Sequence, residues 1–151
     1  MPSSERKMSI FLDTSRIDMV EKFLKQGLIR GVTTNPTILK KNKTANNMKE
    51  LEDFSKTLAK LIDPYPLSIE LSSNDYDSMI KQASIISSWS NNINVKVTIH
   101  GPNYEDFNLE VINILEKIKN IRVNVTAIMS SQQALLALYS GASYVSLFGG
   151  R

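Results

Sequence analysis

Apolar positions along this 151-residue chain recur with two periods, every second residue and every third to fourth, and the two patterns take turns along its length. The period of two predicts strands at 9–14 (SIFLDT), 31–35 (GVTTN), 67–71 (LSIEL), 93–99 (INVKVTI), 121–127 (IRVNVTA) and 143–148 (SYVSLF). The longer period predicts the helices between them. Ile17, Val20, Phe23 and Leu24 form a stripe over 17–26 that ends at Gly27, and Ser15 with Asp18 reads as a capping box in front of it. Met48, Leu51, Phe54, Leu58 and Leu61 mark a helix over 45–62, and Met79, Ile80, Ala83 and Ile86 one over 75–90. Phe107, Val111, Leu115 and Ile118, taken as inward-facing, mark another over 104–119, and a last one is predicted over 131–140, closed by Gly141. Pro36 stops the second strand, and Pro64 and Pro66 punctuate the approach to the third.

Strands alternating with helices predict a parallel sheet covered by helices. Each strand sets an apolar face against one that carries a polar residue near its C-terminal end: Asp13, Asn35, Glu70, Lys96, Thr126 and Ser146. A doubly wound sheet would send these residues to different surfaces. A barrel collects one face of every strand in its interior, with active sites at the C-terminal end of the strands. The predicted fold is therefore α/β, of the (β/α)8 TIM-barrel type, with six βα units in this chain. In such a barrel Lys96 is not a surface residue. A buried amine is unfavourable unless the site uses it.

Composition narrows the chemistry. The chain is 42% hydrophobic and 22% charged with a formal charge of +3, ordinary for one globular domain. It lacks cysteine and has one histidine, His100, which sets thiol catalysis, Cys-based metal sites and Ser-His catalysis aside; no metal or other cofactor is expected. Lys40, Lys41 and Lys43 form a small basic cluster, read as a solvated loop and not as a nucleic-acid surface. No apolar run is long enough to span a membrane, and the opening MPSSERKMSI has no apolar leader core, so a cytoplasmic location is expected. Met48, Met79 and Met129 read as packing residues.

Five segments, FLDT at 11–14, GVTTNPT at 31–37, NVKV at 94–97, NVTAIMSSQQAL at 124–135 and GASYVSLFGGR at 141–151, resemble the transaldolase family in the same order. The small members, which include the fructose-6-phosphate aldolases, are the most similar. The resemblance implies a class I aldolase barrel domain over 9–151, incomplete at its C-terminus, behind an extension at 1–8. It also implies a role for each polar position. Lys96 matches the lysine that forms a Schiff base with a ketone, a reaction that needs the neutral amine. Asp13 matches the carboxylate that takes a hydroxyl proton during cleavage, and Glu70 with Thr126 the pair that positions a water. Asn35, Asn124 and Ser146 match groups that bind the dihydroxyacetone unit, with Thr33 supporting them, and Arg151 a guanidinium for the substrate phosphate.

The implied substrates are sugar phosphates of the fructose 6-phosphate and sedoheptulose 7-phosphate type, in the pentose phosphate pathway, and members often form homo-oligomers. Glu70, Asn124 and Phe148 resemble the transaldolases, whereas fructose-6-phosphate aldolases tend to carry Gln and Tyr in place of Glu70 and Phe148. Transaldolase activity is the first expectation, fructose-6-phosphate aldolase activity the second, and a non-catalytic truncated remnant the third. The chain departs from the family in having six of eight βα units. It also has Thr98 where a proline is usual, and SLFGGR for the commoner SPFVGR.

Overall fold

The computed structural model describes residues 9–149. The extension expected at 1–8, and Arg151, lie outside the described residues. Six strands form one sheet: β1 (Leu12–Asp13), β2 (Val32–Thr33), β3 (Leu67–Glu70), β4 (Ile93–Thr98), β5 (Val123–Ile128) and β6 (Tyr144–Leu147). All neighbours are parallel and the spatial order is the chain order, β1 to β6. A doubly wound sheet reverses its order at a switch point. This one never does, and it curls into a partial barrel with its helices outside.

The helices are α1 (Ile17–Lys25), α2 (Pro36–Lys41), α3 (Met48–Ile62), α4 (Tyr76–Ser87), α5 (Asn108–Asn113) and α6 (Ser131–Tyr139). Their inner faces and the outward faces of the strands form one core, with Leu58, Ile62, Ile69, Ile86, Val95, Val97, Ile112 and Leu115 essentially sealed from water. The inward strand face is polar, and at its N-terminal end an aromatic pair closes it. The Phe11 and Tyr144 rings, from the approach to β1 and from β6, lie 6.0 Å apart. Gly31 leaves room for that pair, because a Cβ there would stand 2.7 Å from the Phe11 ring.

Several sequence expectations change. The capping box before α1 does not form. Ser15 is buried and accepts hydrogen bonds from Asn42 Nδ2 (2.8 Å) and Thr44 Oγ1 (3.0 Å), while Asp18 pairs with Arg16. Side-chain caps occur instead at Asn35, Asn47, Asp75 and Ser130, which accept from Ile38, Glu50, Ser78 and Gln133 N–H. The helix expected from 104 starts at Asn108, because Tyr104 adopts a left-handed φ of 64° in the preceding turn, and it finishes as a π-helical stretch, Ile114–Ile118. Ile118, expected inward, is 75% exposed, and Met129, read as packing, is 56% exposed, as is Met48 in part. The π stretch rotates Ile118 off the inner face, and Met129 sits beyond the end of β5. Lys40, Lys41 and Lys43 are exposed as expected, the first two in the last turn of α2, where cations suit the helix dipole. No helix among the described residues is long and apolar enough to cross a membrane.

Candidate active site

Strand alternation brings Asp13, Asn35, Glu70, Lys96 and Thr126 to the C-terminal mouth of the sheet, where they line one cavity of about 460 Å³ with Pro36, Thr37, Ile38, Thr98, Ala127 and Phe148. Lys96 is at its base, with a side chain 8% exposed. Its Nζ donates to the Thr34 carbonyl at 3.0 Å and lies 3.4 Å from Glu70 Oε2. The carboxylate contact follows from register, since Lys96 pairs with Glu70 along β3 and β4. The amine thus has a hydrogen-bond acceptor on one side, a carboxylate on another, and open space above. A lysine with an adjacent carboxylate able to take its proton, and with open space above it, has the arrangement of an amine nucleophile and its base.

The other expected residues divide into two layers. Asp13 is at the exposed rim, oriented by Thr33, whose Oγ1 donates to Asp13 Oδ1 at 2.9 Å. Thr33 itself does not line the cavity. Asn35 does; its Oδ1 uses one lone pair as the N-cap of α2, accepting from Ile38 N at 2.9 Å, which leaves its Nδ2 as the donor for a ligand. Asn124 and Ser146 lie one layer deeper. Ser146 Oγ donates to Asn124 Oδ1 (2.8 Å), and Asn124 Nδ2 donates to Ser68 Oγ (3.2 Å), a buried chain running from β6 across to β3.

Some wall residues were not anticipated. α2 was missed because Asn35-Pro36 reads as a turn, although proline at the first helical position and an Asn cap before it are also a helix-start signal. That helix contributes Thr37 and Ile38. Thr98 is two residues beyond Lys96 and so shares its face. Its Oγ1 donates to the His100 carbonyl (2.8 Å), and Asn108 Nδ2 donates to the Thr98 carbonyl (2.9 Å), tying the wall to α5. Ala127 enters through a register shift between Val125 and Ile128, where its φ is 59°. Bulges of this kind re-aim side chains beside active sites, and nothing in the local sequence announces this one. Among the described residues no three His, Asp or Glu side chains cluster as a metal site.

Similarity to known proteins agrees with this architecture. A profile of the family described as transaldolase/fructose-6-phosphate aldolase matches residues 10–151. A probable transaldolase of Methanococcus maripaludis is 36% identical over 144 residues, covering 95% of this chain and 61% of the relative. One from Thermoplasma volcanium is 38% identical over 144 residues, covering 95% and 60%, and one from Dehalococcoides mccartyi 37% over 146 residues, covering 95% and 62%. The chain spans about three-fifths of the length of these curated relatives. A crystal structure of mandelate oxidase with 3,3-difluoro-2-hydroxy-3-phenylpropionic acid superposes with a TM-score of 0.57 at 16% identity, over 93% of this chain and 48% of that one, a likeness of fold alone. With the family profile running from the first strand through the last described residue, the chain belongs to the transaldolase/fructose-6-phosphate aldolase family.

Proposed function

We propose that this chain carries out the Schiff-base chemistry of a transaldolase, moving a dihydroxyacetone unit between sugar phosphates. The observation that supports it best is the amine of Lys96, buried at the base of the cavity beside Glu70 and open on its upper side. Lys96 Nζ passes a proton to Glu70 and adds to the ketone carbon of a sugar phosphate; Glu70 returns that proton to the carbinolamine hydroxyl, which leaves as water to give an iminium. Glu70 and Thr126, on either side of Lys96 along the sheet, hold the water that leaves and later returns. Asp13 accepts the proton of the C4 hydroxyl as the C3–C4 bond breaks. The bonding electrons pass into the iminium to form an enamine, and the shorter aldose phosphate departs. The enamine then attacks the carbonyl of an acceptor aldose phosphate, with Asp13 returning its proton.

Asn35 Nδ2 is the donor best placed for a substrate hydroxyl, and Asn124 and Ser146 underlie the ketone end. Arg151 is assigned to the phosphate on the family resemblance. Glu70 and Phe148, where the aldolases tend to have Gln and Tyr, favour transfer over simple cleavage.

Intact-mass analysis after incubation with fructose 6-phosphate and borohydride tests the reading, with Lys96→Ala as control. A reduced adduct on the native chain and none on the control supports it. No adduct on a folded native chain overturns it and leaves a non-catalytic protein. Free dihydroxyacetone, in the absence of an acceptor, separates the aldolase alternative from the transferase.

A further inference from the structure

Beneath Lys96 the inward face of the sheet holds side chains that the proposed mechanism does not touch. Ser68 on β3 is 1% exposed, and its register partner on β4 is Asn94, also 1% exposed. The hydroxyl has two amides within its layer and bonds only one. Asn124 Nδ2 donates to Ser68 Oγ, whereas Asn94 Nδ2 is buried without a hydrogen-bond partner among the described residues. Asn124 is in turn the register partner of Lys96 on the other side of β4. Its carbonyl oxygen is engaged by Ser146.

The Asn124 amide is therefore tethered at both ends, by Ser146 at the oxygen and by Ser68 at the nitrogen. A primary amide has two N–H donors and two oxygen lone pairs. Each tether uses one, so one donor and one acceptor remain, both with their direction fixed. The last torsion of an asparagine is broad, and a second hydrogen bond at the other end of the amide narrows it further.

We propose that Ser68 is a positioning residue of the lysine site. Its hydroxyl oxygen fixes the Asn124 amide, and through it the hydrogen-bonding groups that meet the carbonyl-bearing end of the substrate beside Lys96. This rests on the Schiff-base reading above, and its effect is on substrate alignment, with no bond made or broken at Ser68. Alanine at 68 would leave the Asn124 N–H unpaired in a buried layer, while the cavity walls, Glu70 and Lys96 keep their places.

The test uses the whole chain as parent, Ser68→Ala, Asn124→Ala and the double variant. Adduct formation with fructose 6-phosphate under borohydride is followed against substrate concentration. Ser68→Ala is expected to raise the half-saturating concentration by about two- to tenfold, the range for one hydrogen bond. The double variant is expected to be no worse than Asn124→Ala alone. An unchanged half-saturating concentration in Ser68→Ala, or effects that multiply in the double variant, overturns the proposal.

The side-chain amide signal of Asn124, assigned by its loss in Asn124→Ala, gives a readout independent of turnover. It should shift or broaden in Ser68→Ala, and an unmoved signal also refutes the positioning role. If the parent forms no adduct the Schiff-base reading fails by itself, while the amide signal still decides whether Ser68 holds Asn124.

Discussion

Replacing Glu70 with glutamine tests whether the lysine site is held together by charge. The substitution keeps the shape of the side chain, removes its charge and replaces one acceptor oxygen with an NH2 donor. Two unit charges 3.4 Å apart attract by about 5 kcal/mol at an effective dielectric of about 20. Desolvation offsets much of that attraction in the native protein, so the pair itself adds little net stability. Breaking it is a different matter. Glu70→Gln leaves the Lys96 ammonium with neutral acceptors only, such as the Thr34 carbonyl, in a place where its side chain is 8% exposed. Loss of one partner of a buried pair costs about 3–5 kcal/mol. Glu70 is itself 21% exposed, so water relieves part of the loss and the expected value is at the lower end, about 3 kcal/mol.

Removing both charges should restore most of this stability. In Lys96→Met with Glu70→Gln no unpaired ion remains, and methionine refills the volume of the lysine stem. The double variant should fall within about 1 kcal/mol of the parent. Urea unfolding at pH 7, followed by circular dichroism and compared at equal m-values, measures all four corners of the cycle. A Glu70→Gln loss below about 0.5 kcal/mol would show that the pair is not coupled in solution. So would strict additivity in the double variant, and the placement of the amine against the carboxylate would then be wrong.

Four further outcomes follow from single contacts. Asn35→Asp should keep the cap of α2 and its stability while abolishing the Nδ2 donor, so trapping weakens without a change in melting temperature; Asn35→Ala should also lose about 1 kcal/mol in urea titration. Gly31→Ala pushes a Cβ to 2.7 Å from the Phe11 ring and should destabilise by about 1–3 kcal/mol, read as a fall in melting temperature with disturbed aromatic circular dichroism. Backbone hydrogen bonding from Ser78 holds the Asp75 carboxyl below its ordinary value, so its contribution is full above the unfolded-state value near 4 and fades as pH falls through the lower folded value. Asp75→Asn keeps the cap and should flatten that part of the stability–pH curve. Leu135, Leu136 and Leu138 are about half exposed on α6, so changing any one to glutamine should alter unfolding free energy by no more than about 0.5 kcal/mol, while sedimentation of the triple variant shows reduced self-association if that face is sticky.

What the sequence made legible was whatever a two-residue period dictates. Lys96, Glu70 and Thr126 stand on one face because each is an even number of steps from an inward neighbour, and a covered parallel sheet turns that face into an interior. Depth along the strand was not legible in the same way. Asn124 and Ser146 share the inward face with the cavity residues, yet the stagger between strands sets them one layer lower, where they bond each other and Ser68 before any ligand. Short-range signals with two meanings were also lost. Asn35-Pro36 ends a strand and starts a helix at the same point, and Ser15 has the spacing of a cap but is drawn into the core by Asn42 and Thr44. The bulge at Ala127 depends on how β5 meets β6, a tertiary matter with no local sequence signature.

The distribution of burial along the sheet bears on how the chemistry is supported. Glu70, Lys96 and Thr126 are on β3, β4 and β5, whose residues are almost entirely buried and which have a strand on either side. Among the described residues β1 and β6 each pair on one side only, and β6 is nowhere fully buried. The amine, the carboxylate beside it and the threonine thus stand on the most deeply buried strands of the sheet, with the Asn124 network beneath them running from β6 to β3. Asp13 and Phe148, at the two ends of the sheet, are exposed. On the Schiff-base reading proposed above, the covalent step would take place where the sheet is most deeply buried. On that same reading, iminium formation depends on β3, β4 and β5, which carry Glu70, Lys96 and Thr126.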